Sequence, residues 1–335
     1  MPELYPLCFT PVFKHYLWGG RNLEKIGRDL PVNVNVAESW EIASHADGMT
    51  VISNGSYAGK TLPELMSTLG IDLVGRHNQW ALDRGIFPLM VKLLDAEDRL
   101  SIQVHPDDAY AKEHEGANEL GKAEMWVILS AKPGAGIIYG FAHETTPEAL
   151  HQAVSSGSLE PALNFIPVKA GDHVCVPPGT LHAILEGVVL AEIQQNSNTT
   201  YRVYDWNRVD DQGNPRDLHV INALDVINFQ QINANLPAAE VIKATQGYTR
   251  ERLCRNVYFT TERFSFREKA ELTGHCDGSS LEIWGVIEGR AEIAGVIIEN
   301  VKFCLLPAAM GKFSILADEN SVLLRVYTDN PAKNA

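Results

Sequence analysis

Short apolar runs, each cut off after a handful of residues by Gly, Pro, Asn or Asp, restrict this chain to a fold built mainly from strands. "GMTVISNGSYAGK", "AEMWVILSAKPGAGIIYGF", "GDHVCVPPGTLHAILEGVVLAEIQ" and "GRAEIAGVIIENVKFCLLP" all read as strands joined by tight turns. Helical spacing is confined to "TLPELMSTLG", with Thr61 as N-cap, "HPDDAYAKEHEG", "TTPEALHQAVSSG" and "LEPALNF". Strand–helix alternations are too few for a doubly wound sheet, and no Gly-rich phosphate loop appears. Antiparallel runs of this kind close into sandwiches or jelly rolls, whose interiors can hold a ligand.

The pattern repeats. "AEMWVIL" matches "LEIWGVI", pairing Glu124 with Glu282 and Trp126 with Trp284. Downstream "VPPGTLH" overlays "LPAAMGK", pairing Pro177 with Pro307 and His182 with Lys312. Glu124 and His182 are 58 residues apart, Glu282 and Lys312 only 30, and the surplus matches the helical stretch at about 141–168. Between the copies "NANLPAAEVIKATQG" (233–247) is polar and irregular and reads as a linker. The expected division is a first unit at 1–232, with helical insertions at about 106–118 and 141–168, and a smaller β unit at 248–335.

"GDHVCVPPGTLHAI" sets His182 just after a rigid double-proline turn. A histidine there can be a metal ligand or a packed residue with one satisfied nitrogen, so its partners matter. In "LSIQVHPDD", Gln103 and His105 are two apart and share one side of a strand; in "GKAEMWVIL", so do Lys122 and Glu124. His105 could equally be a turn residue before Pro106. Glu124 in an apolar strand needs a cation or several donors, which Lys122 or a metal could supply. One amide oxygen, two imidazoles and one carboxylate suit zinc, and would also accept iron, manganese or cobalt. The following strand alternates Glu192, Gln194, Asn196 and Asn198, and "TTYRVYDWNR" sets Arg202 and Arg208 among aromatics. A polar-lined strand suits a hydroxyl-rich ligand, and an arginine suits a phosphate or a developing oxyanion. A solvated edge strand would look similar.

With 28 basic against 42 acidic side chains the net charge is −14, which disfavours a polyanionic partner but not a small phosphorylated one. No nucleic acid or membrane is expected as a partner: no apolar run approaches spanning length, and the first residues lack the build of a signal peptide. The five scattered cysteines fit reduced thiols and a cytoplasmic location.

"YLWGGRNL", "AESWEIASH", "FPLMVKLLDAEDRLSIQVHPDD", "GKAEMWVIL", "VPPGTLHAI" and "EIQQNSNTTYRVYDWNR", in that order over about residues 1–225, resemble the type I mannose-6-phosphate isomerases in their short bacterial form. Gly171, Pro177, Gly179 and His182 also fit the wider cupin pattern, though Gln103 stands where a cupin has a histidine. The resemblance implies two cupin-like jelly-roll units, the second degenerate because Lys312 replaces a ligand histidine. It implies one zinc per chain on Gln103, His105, Glu124 and His182. Arg202 would be the catalytic arginine, with Lys122 and Glu192 near the reacting sugar atoms. Arg208 would contact phosphate, and Trp18 and Trp40 would stand near the pocket rim. The implied reaction interconverts mannose 6-phosphate and fructose 6-phosphate through an enediolate, in a monomer or homodimer. Two rival readings are an iron-dependent cupin dioxygenase and a sugar-binding protein without catalysis.

Overall fold

The computed structural model describes residues 3–209 and 212–329. Four antiparallel β layers stack in sequence. A five-stranded sheet (Leu163–Pro167, Gly136–Phe141, His182–Ile184, Ile102–Val104, Tyr201–Tyr204) packs on a six-stranded one (His173–Val176, Glu124–Ala131, Val188–Gln195, Leu89–Ala96, Glu38–Ile42, Val12–Lys14). Ile137, Ile166 and Ile184 of the first meet Trp126, Ile128, Leu94 and Leu190 of the second in one core. The reverse face of the six-stranded sheet, Val91, Val127, Ala191 and Ile193 among it, packs on Ile283, Leu305, Leu324 and Val326 of an eight-stranded sheet. That sheet in turn covers a four-stranded sheet (Ala270–Cys276, Gly311–Ala317, Arg290–Ile293, Val296–Glu299) through Trp284, Phe264, Phe313 and Ile315. The mainly β expectation is met.

Strands buried on both faces lose the simple alternation of a half-exposed strand. Val188–Gln195 and Leu89–Ala96 are buried throughout. Period two still sorts them. Val189, Ala191 and Ile193 point to the rear core, while Val188 and Leu190 point to the front. Continued by two residues, the front row reaches Glu192 and then Gln194. The polar residues singled out in the sequence therefore face the gap between the first two sheets.

The repeat holds at the level of register. Glu124 sits opposite Val176, just before Pro177, and Glu282 sits opposite Leu306, just before Pro307. The added helix, Pro147–Ser156, lies where the second unit has only the turn between Arg290–Ile293 and Val296–Glu299. Leu62–Leu69 begins with the expected cap, Thr61 and Glu64 closing a reciprocal capping box.

Four expectations are corrected. "LEPALNF" gives one 3-10 turn at Glu160–Ala162 and then a strand, Leu163–Pro167, because Ile166 is needed in the front core. The segment read as an irregular linker contains a strand, Glu240–Ala244, paired with Tyr248–Arg255. Leu7–Thr10 and Val51–Ile52 join the eight-stranded sheet, so the first residues complete a layer otherwise built from the far end of the chain. Finally, Cys175 and Cys254 form a disulfide, with Cα atoms 5.8 Å apart, that ties Cys175's strand to the eight-stranded sheet; Cys8, Cys276 and Cys304 are free thiols. Spacing could not show this, since 79 residues separate the pair. Among the described residues no helix is long and apolar enough to cross a membrane.

Candidate metal centre and substrate cavity

The double-proline turn ends on Gly179 at φ +82°, where a Cβ would come 2.8 Å from the Val226 carbonyl, so glycine is required. Its N–H donates to the carbonyl of His105 (2.9 Å). The turn thus fastens the segment bearing one histidine to the segment bearing the other. This answers why so stiff a turn precedes His182: its strand pairs with Ile102–Val104 so that His182 lies opposite Gln103, and Gln103 lies opposite Arg202 on the next strand.

His105, Glu124 and His182 come from three strand ends and bring their donor atoms within 4.8 Å of one another, all three side chains almost fully buried. His105 Nδ1 bonds the Thr199 carbonyl (2.9 Å) and His182 Nδ1 bonds that of Thr180 (2.8 Å). Those carbonyls fix each Nδ1 as the protonated nitrogen and leave both Nε2 lone pairs aimed at Glu124, each 3.4 Å from a carboxylate oxygen. Burial, and then the nearby Lys122 ammonium, hold the His105 imidazole neutral down to about pH 3; burial also lowers His182. Neutral imidazole is the ligand form. Burial alone would raise Glu124, but the Lys122 ammonium outweighs it and holds the carboxyl well below its usual range.

Lys122 Nζ lies 2.8 Å from Glu124 Oε2 and 3.0 Å from His105 Nε2. The contact with Glu124 is an ion pair off the hydrogen-bonding direction, and neither Glu124 oxygen accepts a well-formed hydrogen bond. A buried carboxylate so under-satisfied, facing two imidazole lone pairs, fits a divalent cation of borderline softness. The Gln103 amide nitrogen stands 3.4 Å from His182 Nε2 while its oxygen accepts from Ser101; a half-turn of the amide places the oxygen toward the cluster.

Beside the cluster opens a polar cavity of about 210 Å³. Gln103, Lys122, His182, Glu192 and Arg202 line it, with Trp18 on its wall. Glu192 is opposite both Lys92 and Trp126, whose indole N–H donates to it (3.0 Å). Burial, then the charge of Glu124, raise the Glu192 carboxyl to about 7. Arg202 donates to the Asp217 carbonyl (3.1 Å), while its Nε has no partner; burial and then the like charge of Arg216 lower its pKa. Two half-buried guanidiniums that repel each other make a place for an anion.

Two expected residues stand elsewhere. Arg208 does not line this cavity: it is turned onto Asp205, Asp98 and the Arg99 carbonyl, beside a neighbouring pocket. Trp40 is fully buried, with the Lys92 ammonium 4.8 Å from its ring centre, and does not line this cavity. Arg216, on the walls of both pockets, takes the position expected of Arg208. It lies in a Gly-Asn-Pro loop whose sequence has no periodicity to aim it. Lys92 also lines the cavity, and a lysine inside "FPLMVKLLDA" carries the same signal that exposed Glu124.

Paired β sandwiches with a buried His–Glu–His cluster beside a cationic cavity define a β protein with, among the described residues, one candidate metal-binding cluster. Residues 7–134 match the family described as phosphomannose isomerase type I, catalytic domain. A putative mannose-6-phosphate isomerase of Bacillus subtilis is 37% identical over 319 residues, 92% of this chain and 95% of the relative. A mannose-6-phosphate isomerase of Streptococcus mutans is 46% identical over 226 residues, 67% and 68% of the two chains. The crystal structure of a Bacillus subtilis mannose 6-phosphate isomerase superposes with a TM-score of 0.84 at 34% identity, covering 96% of this chain and 99% of that one. The chain belongs to the type I phosphomannose isomerase family.

Proposed function

We propose that the chain interconverts mannose 6-phosphate and fructose 6-phosphate, with one zinc ion held by Gln103, His105, Glu124 and His182. What carries this reading is the buried His105–Glu124–His182 cluster beside a cavity that Gln103 and His182 line together with Arg202 and Arg216. The relatives' name supplies the substrate. When bound, the ion supplies a Lewis acid for a carbonyl or hydroxyl oxygen of the sugar.

The chain's own residues do the rest. Moving a carbonyl from C1 to C2 means removing a proton beside it and returning that proton to the neighbouring carbon. Glu192, steadied by the Trp126 indole, and Lys122 serve as acid–base groups, in a cavity that Glu38 and Lys92 also line. Arg202 stabilises the enediolate charge, and Arg216 takes the phosphate. Trp18 walls the sugar in, and Arg208 holds the Asp205 end of the arginine segment. In this reading residues 1–232 carry the chemistry and 248–335 support it, in a cytoplasmic monomer or homodimer.

A coupled assay on mannose 6-phosphate, with and without chelator, tests the whole. Turnover should vanish with chelator and return with zinc. Arg216→Ala should lower kcat/KM roughly 10- to 150-fold, the equivalent of about 1.5–3 kcal/mol for a charge-assisted bond. Turnover that survives complete metal removal would sink the metal reading, and turnover that needs oxygen would favour iron chemistry instead.

A further inference from the structure

Lys122 and Glu124 lie where a loop becomes the strand Glu124–Ala131, a place where chains are seldom rigid. Here three successive backbone amides are pinned. Gly121 N–H donates to Asp108 Oδ1 (2.8 Å), Lys122 N–H to the Pro106 carbonyl (3.0 Å) and Ala123 N–H to Gln195 Oε1 (2.9 Å). The two side chains are themselves joined, Gln195 Nε2 donating to the same Asp108 oxygen (2.9 Å). Gln195 N–H also donates to the Ala123 carbonyl (3.1 Å). The approach is so close that a Cβ on Gly121 would fall 2.5 Å from the Asp108 nitrogen.

We infer that Asp108 and Gln195, neither of which faces the substrate cavity, are positioning residues that hold Lys122 and Glu124 in register with His105. Asp108 opens the helix Asp108–His114, three residues after His105, so one short segment supplies both a donor and the anchor for its partners. Gln195 ends the strand that carries Glu192 and is buried. A hydrogen-bonded side-chain pair thus couples the segment that follows His105, the start of Glu124–Ala131 and the end of Val188–Gln195. The far side of the pair borders a cavity of about 340 Å³ whose opposite wall includes Val257 and Tyr258. Residues beyond 248 therefore lie over the anchor, and burial and then the Asp108 charge push the Tyr258 phenol up. An error of about 1 Å in a catalytic group can lower a rate roughly 100-fold, so the anchors have leverage.

The inference rests on the zinc reading, and the test separates the two. Asp108→Ala and Gln195→Met should each weaken zinc about 10- to 100-fold in chelator competition. They should lower kcat by a similar factor, with KM for mannose 6-phosphate nearly unchanged. Asp108→Asn, which can still offer an oxygen to Gly121 N–H, should recover most of both. In chelator-treated protein, hydrogen exchange at the Gly121 and Ala123 amides should quicken at least tenfold in the first two variants. Unchanged exchange there, or Asp108→Asn no better than Asp108→Ala, overturns the inference. Faster exchange in a protein that binds no zinc keeps the anchors and overturns the zinc reading alone.

Discussion

Lys122→Met separates the electrostatics of the centre from its chemistry. Without metal, Lys122 is the cation nearest Glu124, at 2.8 Å, and both side chains are buried. Methionine keeps the apolar stem and deletes the charge, leaving a buried carboxylate with no compensating partner. Breaking such a pair from one side costs about 3–5 kcal/mol. With a divalent ion on Glu124 the arithmetic changes, because the ion neutralises the carboxylate and repels the ammonium; the same substitution then costs about 1 kcal/mol or less. The thermodynamic cycle requires the difference, about 2–4 kcal/mol, to appear as tighter metal binding, roughly 30- to 900-fold. Urea unfolding in chelator and in saturating zinc gives the two stabilities, and competition with a chromophoric chelator gives the affinity. Turnover should be lost in the same variant. Zinc affinity that is unchanged or weaker, with metal-free stability unmoved, would refute the argument.

Other outcomes follow from single contacts. His182→Ala should remove zinc and turnover from a protein that still melts cooperatively; full zinc occupancy after exposure to chelator would exclude it as a ligand. Denatured but unreduced protein should titrate three thiols and reduced protein five, and Cys175→Ser should cost up to about 4.5 kcal/mol in the chain-entropy limit. Five thiols without reductant would remove the disulfide. His173 is held neutral by burial and then by Arg263, and its Nε2 has no partner. Its folded pKa lies below the ordinary 6.5, so the stability it contributes is present above that pH and is lost as pH falls through the folded value. Wild type should therefore lose stability relative to His173→Gln between pH 6.5 and 5, with a constant gap from pH 7.5 to 8.5; a parallel pair of curves would contradict this.

The residues that meet in this cluster were legible because each breaks a local rule. Glu124 interrupts an apolar strand, His182 follows a turn too stiff to be filler, and His105 stands two residues from Gln103, just past the end of the strand Ile102–Val104. The same reasoning could have found Lys92. Arg216 could not be found that way, because its position depends on an irregular loop, and neither could the turning of Arg208 onto Asp205, which only the folded chain decides. Layer order was hidden for a different reason. Strands buried on both faces read as continuous apolar runs, and nothing in "LCFT" says that it completes a sheet some 300 residues away rather than the one beside it.

The second unit shows how a buried glutamate in the place of Glu124 can be satisfied without a metal ion. Register places Arg325 opposite Trp284 as Glu192 is opposite Trp126, and Glu262 opposite Arg325 as Lys92 is opposite Glu192. Acid and base have exchanged strands. Glu282, the counterpart of Glu124, accepts from Nε and one terminal nitrogen of the Arg325 guanidinium and from the Trp284 indole (2.7 Å), so unlike Glu124 it is satisfied by protein alone. Lys312, in the place of His182, is exposed. A guanidinium therefore does for Glu282 what a metal ion would do for Glu124. Arg325→Met should then destabilise the chain by about 3–5 kcal/mol, since Glu282 keeps only the indole donor, and zinc stoichiometry should stay at one. Either an undiminished unfolding midpoint or a second equivalent of zinc in the wild-type chain would show that the exchange of charges does not replace the metal.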